Sequence, residues 1–303
     1  MTPLRGSWKP RVFHHFDFFA PSGLEQGLDL SDDELADQLD GTKSSALFLG
    51  TYSATQVREA LERFGITAKL AARGYQDLKI SYTDHGPYAY RMTIEHPQDD
   101  EYCLLGEVIV KEGSFTPKVK FLEGHDLQQM DLLVIEWMLM QDQRREFGEH
   151  KPRLPGQNHP GLGVGNEVVH LLNALTKLLS KEGLLNFPEY INNALIYSEF
   201  FDFFDPRKQA EMSAIWRDMS ELGMDLSQVS WAVYLECVRD AESGEAVKWF
   251  AEEQIKPHSP RIKAYFNDPE YAEAVQTFLD NMRYELDTTK FEEKYPARHK
   301  IVW

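Results

Sequence analysis

The chain has 303 residues, which is long enough to bury one large hydrophobic core, or one core and a smaller second domain. Its 42% hydrophobic and 27% charged residues are ordinary for a globular protein, and no apolar run approaches the ~18 residues of a membrane span. The formal net charge of -17 disfavours binding to nucleic acid or to an anionic membrane surface. It favours a cationic substrate, although solubility alone also explains such a charge.

The N-terminal sequence lacks the apolar stretch and the small-residue cleavage site of a secretory signal, so a cytoplasmic location is expected. The two cysteines, Cys103 and Cys237, form neither a disulfide framework nor a metal-binding pair, and both are predicted to be buried. His14 and His15 are adjacent, but no further ligand accompanies them at a suitable spacing, so no metal site is expected. Monomers and homo-oligomers are both compatible with the sequence.

The first part of the chain alternates helical and β-type patterns. Residues 1–44 combine aromatic side chains with an acidic stretch that starts at a helix cap, Ser31, and are interpreted as an N-terminal extension. A strand-like segment at 47–52 precedes an amphipathic helix at 53–65. Period-two alternation between short turns then predicts antiparallel strands at 78–82, 88–95 and 102–110.

The apolar run 131–140 has the length of a buried strand or of a short buried helix, and we interpret it as a strand. A long loop, 141–163, separates it from an amphipathic helix that begins near Val164 and ends at Gly183. Because that helix is a crossover, the short apolar segment 183–187 is predicted to pair parallel with an earlier strand. The remaining chain is predicted to be mainly helical, with a candidate strand at 246–250 and helices at 191–200, 207–222, 227–238 and 269–286.

These patterns predict a mixed α/β fold of the α+β type, in which helices flank a mostly antiparallel sheet. Residues 45–205 form the predicted central domain, and residues 206–303 form a mainly helical C-terminal region that extends it.

The most informative motif is a glycine loop at the point where the long loop enters its helix. Gly161, Gly163 and Gly165 occur there within five positions, Gly161 to Gly165. A helix N-terminus offers unpaired N–H groups and the positive end of the helix dipole, which attract anions. Glycine tolerates positive φ and places no side chain between the backbone and a phosphate. The alternative is structural, with glycines that permit a tight turn and close packing. The pattern matches neither a Rossmann fingerprint nor a P-loop.

Two segments resemble the GNAT superfamily of N-acyltransferases. The segment Gly161-Leu-Gly-Val-Gly-Asn-Glu-Val-Val-His-Leu-Leu is similar to the family's pyrophosphate loop and helix. The segment Asn193-Ala-Leu-Ile-Tyr-Ser-Glu-Phe-Phe-Asp-Phe203 is similar to its later Asn-Ala-Tyr-Gly-Phe helix. The resemblance covers about residues 45–205 and implies a GNAT-like domain, with transfer of an acyl group from acetyl-CoA or another acyl-CoA to a small-molecule or amine acceptor. The helical C-terminal region would then cover the acceptor pocket.

The sequence departs from the family pattern at several positions. The Arg or Gln that normally precedes the loop falls on Pro160, and Asp202 stands where glycine is common. The loop between the predicted strand and the glycines is also longer than the family's. These departures keep two other functions open, a non-catalytic GNAT-like binding or regulatory protein and an unrelated scaffold whose C-terminal helices bind a partner.

The resemblance also implies roles for individual residues. Tyr197 would protonate the departing thiolate, although a tyrosine packed against Phe200 and Phe201 is the structural alternative. Glu136 could act as a base if its carboxylate is buried. Four basic residues before the glycines would attract phosphates, or are simply solvated: Arg144, Arg145, Lys151 and Arg153. The expected cofactor-binding residues are Gly161, Leu162, Gly163, Val164, Gly165, Asn166 and Arg153.

Overall fold

The structure is a computed structural model that describes residues 47–86, 88–98, 101–117, 122 and 124–303. The predicted N-terminal extension, 1–44, lies outside the described residues. The first described elements are α1 (Ala54–Arg63), α2 (Ile66–Ala72), β1 (Lys79–Asp84), β2 (Ala89–Gln98), β3 (Glu101–Phe115) and β4 (Met130–Met140).

The remaining elements mix helices with short strands. They are α3 (Gly165–Leu178), β5 (Gly183–Asn186), α4 (Ile191–Tyr197), β6 (Asp202–Phe203), α5 (Pro206–Glu221), α6 (Leu226–Tyr234), β7 (Val238–Asp240), β8 (Gln254–Pro257), α7 (Pro260–Asn267), α8 (Pro269–Asn281), β9 (Tyr284–Leu286), α9 (Thr288–Lys294) and a 3-10 helix (Tyr295–Lys300).

One seven-stranded sheet organises the described chain, with the strand order β1-β2-β3-β4-β5-β8-β6. Its neighbours pair antiparallel except β4 and β5, which pair parallel across the α3 crossover. The mixed α/β class with a mostly antiparallel sheet is therefore confirmed, as is the parallel strand at 183–187. Strand β8 lies between β5 and β6, so a single sheet spans the predicted boundary between residues 205 and 206.

Helices α1, α2 and α3 cover one face of the sheet. In α1, the Ser53 hydroxyl caps the helix and Gln56 completes the capping box, which turns Val57 and Leu61 into the core. The apolar stripe of α3 packs against β4 and β5 through side chains that include Leu172. A second cluster, around Leu132, Leu185 and Tyr265, fills the opposite face near α7 and α8.

Several sequence predictions about secondary structure were wrong. Residues 47–52 form a tight turn instead of a strand, because Leu49 and Gly50 adopt positive φ angles of 55° and 62°. Helix α6 stops before the predicted end because Glu236 adopts a φ of 55°, and the next residues pair as β7 with β9. The predicted strand at 246–250 is limited to an isolated bridge from Ala246 to Arg239.

One of the two cysteines also differs from expectation. Cys237 is buried as predicted, whereas Cys103 is only half-buried and donates through its Sγ to Gln143 Oε1 at 2.7 Å.

Candidate functional site

The end of β4 diverges from its neighbour. A β-bulge places Glu136 opposite no residue of β3, because Ile109 pairs with Trp137 while Val110 pairs with Ile135. The parallel pairing with β5 ends at Ile135 and Asn186, although β4 continues to Met140. A gap therefore opens on the β5 side of residues 136–140.

The backbone of β4 presents hydrogen-bonding groups to this gap. Gln141 N–H donates to Leu105 O at 2.8 Å. Between the bulge and residue 141, the backbone N–H and C=O groups of every second residue, counted back from Gln141, therefore point toward β3. By that alternation, the N–H and C=O groups of Met138 and Met140 point the opposite way. The Met140 carbonyl accepts from Leu162 N–H at 3.4 Å, so the glycine loop lies directly beside the gap.

The glycine loop has the geometry of an open helix N-terminus. Gly163 is exposed and adopts a φ of +67°, which favours glycine, while the Leu162 and Val164 side chains are buried and anchor the loop in the core. Helix α3 begins at Gly165, and within the described chain no side chain caps it. Its first-turn amides, including that of Asn166, therefore remain available to a ligand.

Arg73, which ends α2, packs directly against this loop. A Cβ atom on Gly163 would lie 2.7 Å from Arg73 Nη2, so the guanidinium fills the space beside the glycine. Arg73 Nη1 is buried and has no hydrogen-bond partner among the described residues. It lies 3.6 Å from Asp142 Oδ2, which is too long for a hydrogen bond.

Asp142 holds the nearby cations in place. Its side chain is 1% exposed, and its Oδ1 accepts a 2.5 Å hydrogen bond from the Tyr75 hydroxyl. Burial, together with that hydrogen bond to Asp142, raises the pKa of Tyr75 to about 12, so the hydroxyl remains a donor at neutral pH. Arg145 Nε lies 3.4 Å from Asp142 Oδ2.

The cations around the loop exceed the charge of this one buried carboxylate. Lys151 Nζ donates to Gly161 O, and Arg73 and Arg145 both approach Asp142. Desolvation, followed by repulsion from Arg73, lowers the pKa of Lys151. Glu167 in the first turn of α3 is paired with Lys69 at 2.6 Å. The excess positive charge favours an anion at the loop.

Two of the predicted basic residues direct their donors to protein groups. Arg153 donates from Nε to Gln157 O at 2.6 Å and from Nη2 to Ile301 O at 2.7 Å, which ties the loop to the C-terminal segment. Arg144 donates to Gly74 O at 3.1 Å and stacks on the Tyr75 ring. Arg153, which the sequence predicts as a cofactor contact, thus makes contacts that hold the fold.

The two proposed catalytic side chains lie in different environments. Glu136 is 38% exposed and lies 3.6 Å from Lys111 Nζ, so the burial on which its role as a base depended is not found. Tyr197 ends α4 and packs against Phe201, and burial raises the pKa of Tyr197 to about 12.

Buried amide side chains lie where β4 and β5 separate. Asn186, the last residue of β5, is 7% exposed, and its partner in β8, Gln254, is 0% exposed. The Oδ1 of Asn186 and the Oε1 of Gln254 accept no hydrogen bond from any described residue. Because unsatisfied buried acceptors are costly, a donor that reached these oxygens would stabilise the protein.

The sequence pattern predicted the glycines, Arg145 and Lys151 as parts of the candidate site. It gave no indication of Arg73, Asp142 or Asn186. Arg73 gave no local signal because it approaches the loop only through the packing of α2.

No protein-family model matches the chain, and no curated protein sequence matches it. Within the described residues, no helix combines the length and the apolar character that a membrane span requires. The same residues contain no group of three or more His, Cys, Asp or Glu side chains that could hold a metal ion.

Proposed function

We propose that the protein is a GNAT-like acyltransferase that moves an acyl group from coenzyme A to an amine acceptor. The observation that carries the proposal is the open end of β4 beside an uncapped glycine loop that Arg73, Arg145 and Lys151 surround. Acyl-CoA joins an extended thioester arm to a pyrophosphate, and this chemistry complements the arrangement.

The phosphates would be bound by the first-turn amides of α3 and by the cations. The pantetheine arm would lie in the gap between β4 and β5, where its amides could donate to the unpaired Asn186 oxygen. The thioester carbonyl would accept from Met138 N–H, which would also stabilise the oxyanion that forms during attack.

The reaction forms a nitrogen–carbon bond while the carbon–sulfur bond breaks. The amine loses a proton and the departing thiolate gains one. Tyr197 is the candidate donor because its raised pKa keeps it protonated at neutral pH. The net charge of -17 would concentrate cationic amines near the protein.

A second candidate function is a non-catalytic GNAT-like protein that binds acyl-CoA. The exposure of Glu136 favours it, because the site then lacks the buried base that the mechanism assumed. Release of coenzyme A from acetyl-CoA in the presence of an amine separates the two functions, and Tyr197→Phe then tests the proton donor. In an enzyme the substitution should lower turnover more than affinity, since a proton donor acts mainly in the transition state. Unchanged turnover would remove Tyr197 from the mechanism.

Calorimetry with coenzyme A and acetyl-CoA tests the proposal directly. We expect binding that Arg73→Gln weakens about tenfold, equivalent to about 1.4 kcal/mol. The matched control is Arg58→Gln, which removes an exposed guanidinium from α1 and should bind as the parent does. No heat with any acyl-CoA at millimolar concentration would leave the proposal without support.

A further inference from the structure

An apolar pocket lies between α1, α3 and the sheet, next to the candidate site. It has a cavity volume of about 40 Å³, several times the roughly 10–15 Å³ that one water molecule needs. Among the described residues that line it, only Tyr52 and Gln56 carry side-chain oxygen or nitrogen atoms. Gln56 Oε1 already accepts from Ser53 N–H at 2.9 Å. Such a wall favours an aliphatic ligand over water.

Met140 connects this pocket to the glycine loop. Its side chain forms part of the pocket wall, while its carbonyl accepts from Leu162 N–H at the loop. Gly106 in β3 makes room for the methionine, because a Cβ atom there would lie 3.0 Å from Met140 Sδ. The flexible thioether is therefore the boundary between the apolar pocket and the gap beside β4.

We propose that this pocket binds the acyl chain of the donor, and that the preferred donor carries an aliphatic chain longer than acetyl. This inference rests on the proposed function. A thioester carbonyl at Met138 N–H would direct its chain past Met140 toward Val168 and Leu172 on α3. An acetyl group ends before the pocket and leaves it empty, whereas a chain of several carbons buries apolar surface there.

The test compares coenzyme A, acetyl-CoA and hexanoyl-CoA by calorimetry. Burial of a methylene strengthens binding by roughly three- to fourfold, so hexanoyl-CoA should bind at least about tenfold more tightly than acetyl-CoA. Ala60→Leu adds a branched side chain to the pocket wall on α1 and should reduce this preference to near one. The matched control, Ala68→Leu, makes the same change on the exposed side of α2 and should keep the preference.

The outcomes separate the two proposals. If coenzyme A binds but hexanoyl-CoA gains nothing over acetyl-CoA, the pocket assignment is overturned while the proposed function stands. If Ala60→Leu and Ala68→Leu keep the same preference, the chain lies elsewhere and the assignment is again overturned. If no coenzyme A compound binds, both proposals fail. The chain-length series on the unaltered protein decides the question even if Ala60→Leu does not fold.

Discussion

Ahead of the glycines, the long loop has two halves, 145–151 and 153–158, whose basic side chains differ in what they contact. In the first half, Arg145 joins Arg73 at one buried carboxylate and Lys151 donates to Gly161 O, while Arg73 Nη1 has no acceptor among the described residues. In the second half, the guanidinium nitrogens of Arg153 all donate to backbone carbonyls.

The second half of the loop is completed by the C-terminal segment. Asn158 Nδ2 donates to Trp303 O at 3.0 Å, and Trp303 N–H donates to Asn158 Oδ1 at 3.3 Å. The Trp303 ring also packs against Tyr190 and Tyr234, with centroids 5.3 Å and 4.9 Å away. A cation whose donors are satisfied by the protein stabilises the fold, whereas a cation with an unsatisfied donor is available to a ligand.

The largest expected effect comes from Arg153→Ala. The substitution removes charge-assisted hydrogen bonds to the carbonyls of Arg298, His299 and Ile301 and releases the C-terminal segment. We expect the free energy of unfolding to fall by about 3 kcal/mol. Urea denaturation followed by circular dichroism measures it.

Arg145→Ala is the matched control from the first half of the loop. Its guanidinium is largely exposed and approaches Asp142 at 3.4 Å, so its loss should change stability by less than about 0.5 kcal/mol. Equal destabilisation by the two substitutions would contradict the division of the loop into a structural half and a ligand-binding half.

The next effect is that of Gly163→Ala. We expect a cooperatively folded protein whose acyl-CoA affinity is reduced at least about tenfold, equivalent to about 1.4 kcal/mol. The φ of +67° strains any side chain, at a cost of about 1 kcal/mol, and the new methyl group displaces Arg73 Nη2. Calorimetry and thermal unfolding measure the two consequences separately.

Gly165→Ala is the control for stability, because Gly165 has no positive φ and no neighbour within 4 Å of an added Cβ atom. It should not lower the unfolding temperature. A folded Gly163→Ala protein that binds as the parent does would favour the structural interpretation of the glycines.

Hydrophobic periodicity predicted the strands and helices whose formation depends mainly on their own residues. The apolar run of β4 and the amphipathic pattern of the crossover helix α3 are visible in the sequence. From these two elements the parallel pairing of β5 with β4 could be predicted. The short strand β7 escaped prediction because its pairing with β9 depends on a long-range contact, which no window of neighbouring residues contains.

The residues of the candidate site likewise fall into those that the sequence predicted and those that it did not. The glycines and Lys151 are close in sequence to α3 and could be identified there. Arg73 and Asp142 meet only because α2 packs beside the loop, and the exposure of Glu136 follows from a β-bulge that alternation alone does not reveal. Whether the protein satisfies the donors of a basic side chain depends on the residues that pack beside it in the fold. Composition does not contain that information.

The smallest expected effect is a pH dependence of acetyl-CoA affinity that comes from Lys151. Desolvation and the nearby Arg73 lower the pKa of Lys151, and a bound phosphate would raise it again by favouring the charged form. Binding therefore takes up a proton, and affinity should fall as the pH rises through the lowered pKa, below the ordinary lysine value of about 10.5. Acetyl-CoA is the suitable probe because its thiol is blocked and does not titrate.

We expect a loss of about threefold between pH 7.5 and pH 10, because a single partly exposed charge contributes less than about 1 kcal/mol. Lys151→Arg should bind acetyl-CoA with a similar affinity at both pH values, since its guanidinium stays protonated throughout this range. Lys151→Met should bind weakly at both. Dissociation constants measured by calorimetry across the range distinguish these cases. The same threefold loss in Lys151→Arg would assign the titration to another group and would remove Lys151 from the ligand-binding half of the loop.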